Sequence, residues 1–309
     1  MISMKNGVWI LFAALIFTAC ENSSYRKTPG GMPYKIYRGD DTAQVRVGDY
    51  IKVLYTQTIR DSVYFTTEGT LPIYLKVDPK PQPYDISEIW TSLRVGDSII
   101  ATQMIDTFIK RMPQSIPPEF KNGMRIITTV KILQVFTSDS AVKADDERSR
   151  AVLLTEEIKT VEKYLADKKI NAQKTPSGAY VELVSPGSGP MADSGKNVTV
   201  NYTGTSWSGK KFDSNVDTTF NHVAPYSFVA GSGRMIKGFD EAMFFMNKGA
   251  KVKVYIPSTL AYGANPNSPN IKPFEHLIFE IELLDIQDKG PDQQLPPAQP
   301  MNIDPSQSN

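Results

Sequence analysis

The chain has 309 residues, enough for two domains that each bury a core of their own. Its 34 basic and 33 acidic side chains nearly cancel, at +1, and no long Lys/Arg run appears, which argues against a nucleic-acid partner. Two histidines, His222 and His276, and one cysteine, Cys20, are too few for a structural zinc site or an intramolecular disulfide, and no cofactor is expected.

At the N-terminus, Lys5 precedes an almost wholly apolar run, Val8 to Phe17, followed by Thr18-Ala19-Cys20. A positive start, a short apolar run and small residues before a cut make a secretory signal, and the run is shorter than the ~20 residues a spanning helix needs. Phe17-Thr-Ala-Cys20 resembles a bacterial lipobox, with Phe where Leu is usual. Residues 1–19 are then a signal peptide, Cys20 the lipidation site and residues 20–27 a tether; an ordinary signal peptide with an incidental cysteine is the alternative. No Asp follows Cys20, so the expectation is a lipid-anchored envelope protein at the outer membrane, facing the periplasm.

Two stretches, residues 28–137 and 173–288, repeat one pattern. With a shift of 147, Thr28, Gly31, Gly48, Val53, Tyr55 and Phe65 fall on Thr175, Gly178, Gly195, Val200, Tyr202 and Phe212; with a shift of 153, Pro72 meets Pro225 and Gly96 meets Gly249. Further on, Ile116-Pro-Pro118 meets Ile271-Lys-Pro273, and Arg125 to Val135 meets His276 to Ile286. Ordered matches with drift only at loops argue for one fold used twice.

Val198–Tyr202, Lys251–Ile256 and Leu277–Leu283 alternate as half-buried strands do. Ser206-Trp-Ser-Gly209 reads as a hairpin turn. Ile236 to Met246 has helical spacing, with Gly249 as its terminator. The fold class is therefore α+β: two domains, each an antiparallel sheet wrapped on a short helix, joined by a helical linker over residues 138–172. In that linker Leu154, Ile158, Val161 and Leu165 form one apolar stripe; it packs on a domain or stands as a solvated spacer. Residues 289–309 carry five prolines among polar residues and read as a disordered tail.

Val200-Asn-Tyr-Thr-Gly204, Gly209-Lys-Lys-Phe-Asp-Ser214, Met235-Ile-Lys-Gly-Phe-Asp-Glu241, Ile256-Pro257, Ala261-Tyr-Gly263 and Leu277–Leu284 occur in the order and spacing of the FKBP-type peptidyl-prolyl cis-trans isomerases. The second repeat resembles that family over nearly its whole length, and the tandem arrangement resembles FKBP lipoproteins of the Bacteroidetes. The resemblance implies an enzyme that rotates Xaa-Pro bonds in proline-containing polypeptide clients, and a site open to macrolide inhibitors. Carried over by position, Phe239 floors a pocket walled by Tyr202, Phe212, Tyr226 and Phe279. The Ile236 N–H and the Tyr262 hydroxyl hold carbonyls of the bound chain, and Asp213 sits at the rim. Phe228, Met235 and Ile271 complete the substrate-binding set. Phe239 stands where Trp is frequent and Tyr226 where Phe is usual, and the loop Asn265–Asn270 is more polar than the family's.

No nucleophile is needed, because the reaction is rotation against a barrier of ~18–20 kcal/mol set by amide resonance. A dry apolar pocket favours the less polar twisted amide over the planar one. In the first repeat the same offsets leave Tyr55 and Phe65 but replace Asp213 by Thr66, Tyr226 by Ile73, Phe228 by Leu75, Phe239 by Ile86, Tyr262 by Ile109 and Phe279 by Thr128. That repeat is expected to keep the fold without the activity. Its Trp90 and the proline-rich stretch Asp78–Pro83 read as a partner surface or as a packed aromatic beside a stiff loop. A non-catalytic scaffold or chaperone subunit is the alternative to the isomerase.

Overall fold

The computed structural model describes residues 25–111, 120–266 and 268–288. The signal peptide, Cys20, the start of the tether, Ile116-Pro-Pro118, Asn267 and the proline-rich tail lie outside the described residues. Two compact units emerge. One takes in the described residues up to Thr66 together with Tyr74–Val135; the other takes in Thr67–Ile73 and the chain from Phe136 onward.

The first unit contains β1 (Arg26–Lys27), β2 (Pro33–Tyr37), β3 (Tyr50–Ile59), β4 (Ser62–Thr66), β5 (Ile73–Lys76), β6 (Ser98–Met104), α1 (Ile105–Arg111) and β7 (Arg125–Phe136). They form one sheet in the order β1-β2-β6-β7-β3-β4, with β5 also on β3. Its short helix is a 3-10 helix, Ile86–Ser92, started by Asp85, whose side chain accepts from Ser87 N. Trp90 is buried within it, so the packed reading of that residue holds.

The second unit opens with α2 (Asp139–Lys168). Next come β8 (Gln173–Lys174), β9 (Tyr180–Ser185), β10 (Ser188–Met191), β11 (Asn197–Ser206), β12 (Lys211–Ser214) and β13 (Tyr226–Val229). After these follow α3 (Lys237–Ala242), β14 (Asn247–Lys248), β15 (Lys251–Ile256) and β16 (Leu277–Gln287). The sheet order is β12-β11-β16-β15-β9-β8, with β13 also on β11. Strand for strand this repeats the first unit, so the repeated pattern in the sequence does encode one fold twice.

Burial alternates along β11, and its inward residues Val198, Val200 and Tyr202 meet α3 in the core. The helix is shorter than the sequence suggests. It ends at Ala242 and passes into a 3-10 turn, Met243–Phe245, while Gly249 instead turns the chain between β14 and β15. The stripe on α2 is not solvated. Ile158, Val161, Tyr164 and Leu165 pack on Tyr180 and Tyr255, and Leu154 reaches the main core of the unit.

Strand register corrects one expectation. In the second unit Thr203 pairs with Ser214, Gly204 with Asp213 and Thr205 with Lys211, so Phe212 is the bulged residue. In the first unit Thr56 pairs with Thr66, Gln57 with Phe65 and Thr58 with Val63, so Tyr64 is bulged. Phe65 therefore takes the place of Asp213, not of Phe212, and Thr66 that of Ser214. The offset slips by one in the turn before β4, where Arg60 and Asp61 both adopt positive φ.

Candidate functional site

The bulge in β12 has a consequence for the side chains. Strict alternation would send Phe212 and Asp213 to opposite faces, yet Phe212, Asp213 and Ser214 are all buried. Phe212 turns onto Phe279 (ring centroids 5.5 Å apart, 83°) and Tyr262 (6.5 Å, 85°). Phe239, the first buried aromatic of α3 and 0 % exposed, meets Phe279 edge-on at 5.1 Å, Tyr202 at 6.0 Å and Phe228 at 6.0 Å. Phe228 in turn stacks on Tyr226 at 5.9 Å. These largely tilted and edge-to-face contacts are the favoured geometry of aromatic pairs, each worth ~0.5–1.5 kcal/mol beyond burial. Met235, Ile236 and Ile271 belong to the same cluster. Every site residue read from the sequence, Cys20 apart, thus falls in one place.

The cluster has a closed base and a half-open top. Phe212, Phe228, Phe239, Ile271 and Phe279 are buried, whereas Tyr226, Met235, Ile236 and Tyr262 are half-buried and form the open edge of the cluster. Asp213 lies beneath that rim rather than on it, at 1 % exposure. One carboxylate oxygen accepts from the Tyr202 hydroxyl at 2.8 Å, and the other is 2.8 Å from His222 Nε2. Burial pushes the Tyr202 hydroxyl well above the ordinary tyrosine range, and the neighbouring Asp213 carboxylate adds to it, so the hydroxyl stays a donor.

Close packing here depends on Gly204. It sits between Asp213 on β12 and Phe279 on β16, and a Cβ there would lie 2.5 Å from Phe212 Cζ and 2.9 Å from Phe279 Cε1. Loops are pinned by side chains that sequence reasoning missed. Asn215 accepts from Tyr202 N at 2.7 Å and donates to Val200 O and Ala224 O, tying both ends of the loop that carries His222. Asp240 accepts from Gly231 N and Gly233 N, fixing the segment that leads to Met235 and Ile236. Ile236, at the N-cap of α3, has extended backbone (φ −55°, ψ 141°), and its N–H bonds to no described residue. Asn215 directly follows the Gly209–Ser214 motif and Asp240 lies within the Met235–Glu241 motif, a signal that could have found them.

Among its described residues the first unit lacks this cluster, for a visible reason. Where Gly204 leaves room, Gln57 carries a side chain that donates to the Tyr55 hydroxyl at 2.8 Å and lies 3.4 Å from Thr128 Oγ1, where Phe279 would be. Tyr64, in the place of Phe212, is 62 % exposed and turns edge-on to Phe120 instead of into the core.

The second unit is thus a small antiparallel sheet closing over one helix on a buried aromatic cluster. Residues 189–284 match the family model described as FKBP-type peptidyl-prolyl cis-trans isomerase. The chain is 41% identical over 109 residues to an FK506-binding protein of Neisseria meningitidis serogroup B, covering 35% of this chain and 96% of that one. It is 42% identical over 113 residues to FK506-binding protein 1A of Aspergillus fumigatus, covering 36% and 97%. FK506-binding protein 4 of Mycosarcoma maydis matches at 37% identity over 131 residues, 41% of this chain but only 33% of that one. The crystal structure of a peptidyl-prolyl cis-trans isomerase from Pseudomonas syringae shares 32% identity, with 43% of this chain and 96% of that one covered and a TM-score of 0.36. The chain belongs to the family of FKBP-type peptidyl-prolyl cis-trans isomerases, and through its second unit it is an enzyme of that type.

Proposed function

We propose that the aromatic cluster of the second unit is the isomerase site, and that it works by gripping proline in a dry pocket. The contiguous ring contacts from Tyr226 to Phe279, with Ile236 and Tyr262 at their open edge, carry this reading. Proline docks over Phe239. The Ile236 N–H and the Tyr262 hydroxyl take the carbonyls of the bound chain, while Tyr202 and Asp213 hold the wall rigid. The twisted amide is less polar than the planar one, so burying it costs less, and each ~1.4 kcal/mol of that preference is worth tenfold in rate. FK506-type macrolides occupy the same cluster, in line with the names of the relatives.

The setting proposed for this activity is the cell envelope. Cys20 carries a lipid that keeps the enzyme at the outer membrane, where it assists folding of envelope or secreted proteins, as in FKBP lipoproteins of the Bacteroidetes. The first unit, with Gln57 in the place of Gly204, serves as a non-catalytic binding or spacing module.

Cis-to-trans conversion of a proline tetrapeptide by the full chain tests the reading. Acceleration is expected, falling about 2–10-fold in Tyr262→Phe with the loss of one hydrogen bond. No acceleration by the wild type, with Tyr262→Phe and Asp213→Ala indistinguishable from it, would leave the scaffold function instead.

A further inference from the structure

We infer that Glu157, on α2, is a positioning residue for the pocket: it holds the turn that presents Tyr262, which makes the long helix part of the isomerase unit. The inference deepens the isomerase reading and rests on it.

Tyr262 follows a 3-10 turn, Ser258–Leu260, whose first amides have no partner within the turn. Two side chains distant in sequence supply the acceptors. The buried Glu157 carboxylate accepts from Thr259 N at 2.9 Å, Thr259 Oγ1 at 2.6 Å and Ser258 Oγ. His276 Nδ1 accepts from Ser258 N at 3.1 Å. The Ser258 carbonyl then takes the N–H of Ala261 at 3.0 Å and of Gly263 at 2.9 Å, the residues on either side of Tyr262. The backbone that aims Tyr262 at Phe212 thus hangs from Ser258, and Ser258 hangs from Glu157 and His276.

The rest of α2 is built to hold Glu157 in that position. Gly178 lets the helix approach, since a Cβ there would run into Ile158. Tyr164 lies on Trp207 (4.4 Å between centroids), and Trp207 on His276 (5.0 Å). Tyr180 donates to Glu162 one turn further on. Packing alone does not ask for a carboxylate in this buried face. An ionised group removed from water is costly unless hydrogen bonds replace its hydration, and an apolar residue beside Leu154, Ile158 and Val161 would avoid that cost. What the carboxylate adds is directional: three charge-assisted hydrogen bonds onto one turn.

The test uses the full chain with Glu157→Ala, Tyr262→Phe and the double variant, read by amide hydrogen exchange and by kcat/KM on a proline peptide. Glu157→Ala is expected to raise exchange at Ala261 and Gly263 about tenfold or more, while amides of β15 and β16 stay protected. It should also lower kcat/KM about 3–10-fold, and the double variant should lose little more than the worse single one. Glu157→Gln, which keeps one acceptor, should recover part of both effects and serves in place of the alanine variant if that one does not fold. Unchanged exchange at Ala261 and Gly263, or losses that multiply in the double variant, would overturn the assignment. A wild-type chain without isomerase activity would defeat the proposed function, whereas the exchange data would still decide whether Glu157 holds the turn.

Discussion

Gly204→Ala adds one methyl group to the second unit. Gly204 has no positive φ, so the backbone accepts alanine, and in a strand that change alone would be worth about 0.5–1 kcal/mol of stabilisation. Opposing it, the new Cβ would lie 2.5 Å and 2.8 Å from two atoms of the Phe212 ring and 2.9 Å from Phe279, all far inside van der Waals contact. Both rings are fully buried and touch Phe239 or Tyr262, so neither moves without shifting the pocket. Overpacking of this kind costs about 1–3 kcal/mol; less the backbone gain, about 0–2.5 kcal/mol remains, which at roughly 2–4 °C per kcal/mol lowers Tm by up to about 10 °C. Because the strain falls on the wall aromatics, kcat/KM should drop further than stability. Thermal unfolding and proline-peptide isomerisation on the full chain measure both. A Gly204→Ala protein with wild-type Tm and rate would refute the argument that these rings are wedged against the strand.

Phe239→Leu should abolish most of the isomerase activity of the full chain, leaving no residue attributable to the first unit; a rate that persists while FK506-type ligand no longer binds would place activity elsewhere. Tyr202→Phe leaves a buried oxygen of Asp213 without its donor and should destabilise by about 1–3 kcal/mol, measured by denaturant unfolding. Burial holds His276 below the ordinary histidine range, and with Nδ1 accepting from Ser258 N its proton lies on Nε2. As pH falls below about 6.5 the unfolded chain takes up a proton that the folded one resists, so stability is full above that pH and declines toward the folded pKa. Thermal melts between pH 7.5 and 5 should show this slope, reduced in His276→Asn.

Much of the aromatic cluster, the candidate site, could be read along the chain because its residues sit in short motifs. Tyr202, Phe212 with Asp213, Ile236 with Phe239, and Tyr262 each sit inside a local pattern, and the sheet brings those patterns together. The repeat was legible too, since alternating strands and glycine turns keep their spacing. What escaped depends on long-range geometry or on a single residue of register. The slip before β4 moves Phe65 into the place of Asp213, which no offset chosen from matching letters could reveal. Gln57 reads as an ordinary strand residue until its amide is seen on the Tyr55 hydroxyl. His222 and Glu157 show no motif; one reaches Asp213 from a loop, the other reaches Ser258 from a helix far earlier in the chain.

Chemical-shift mapping of a proline peptide on the full chain tests the central claim most directly. The amides of Ile236 and Gly263 and the ring signals of Tyr202 and Tyr262 should move together, with exchange between cis and trans peptide speeded in the same sample. Shifts confined to the first unit, or none near α3 at saturating peptide, would contradict the account.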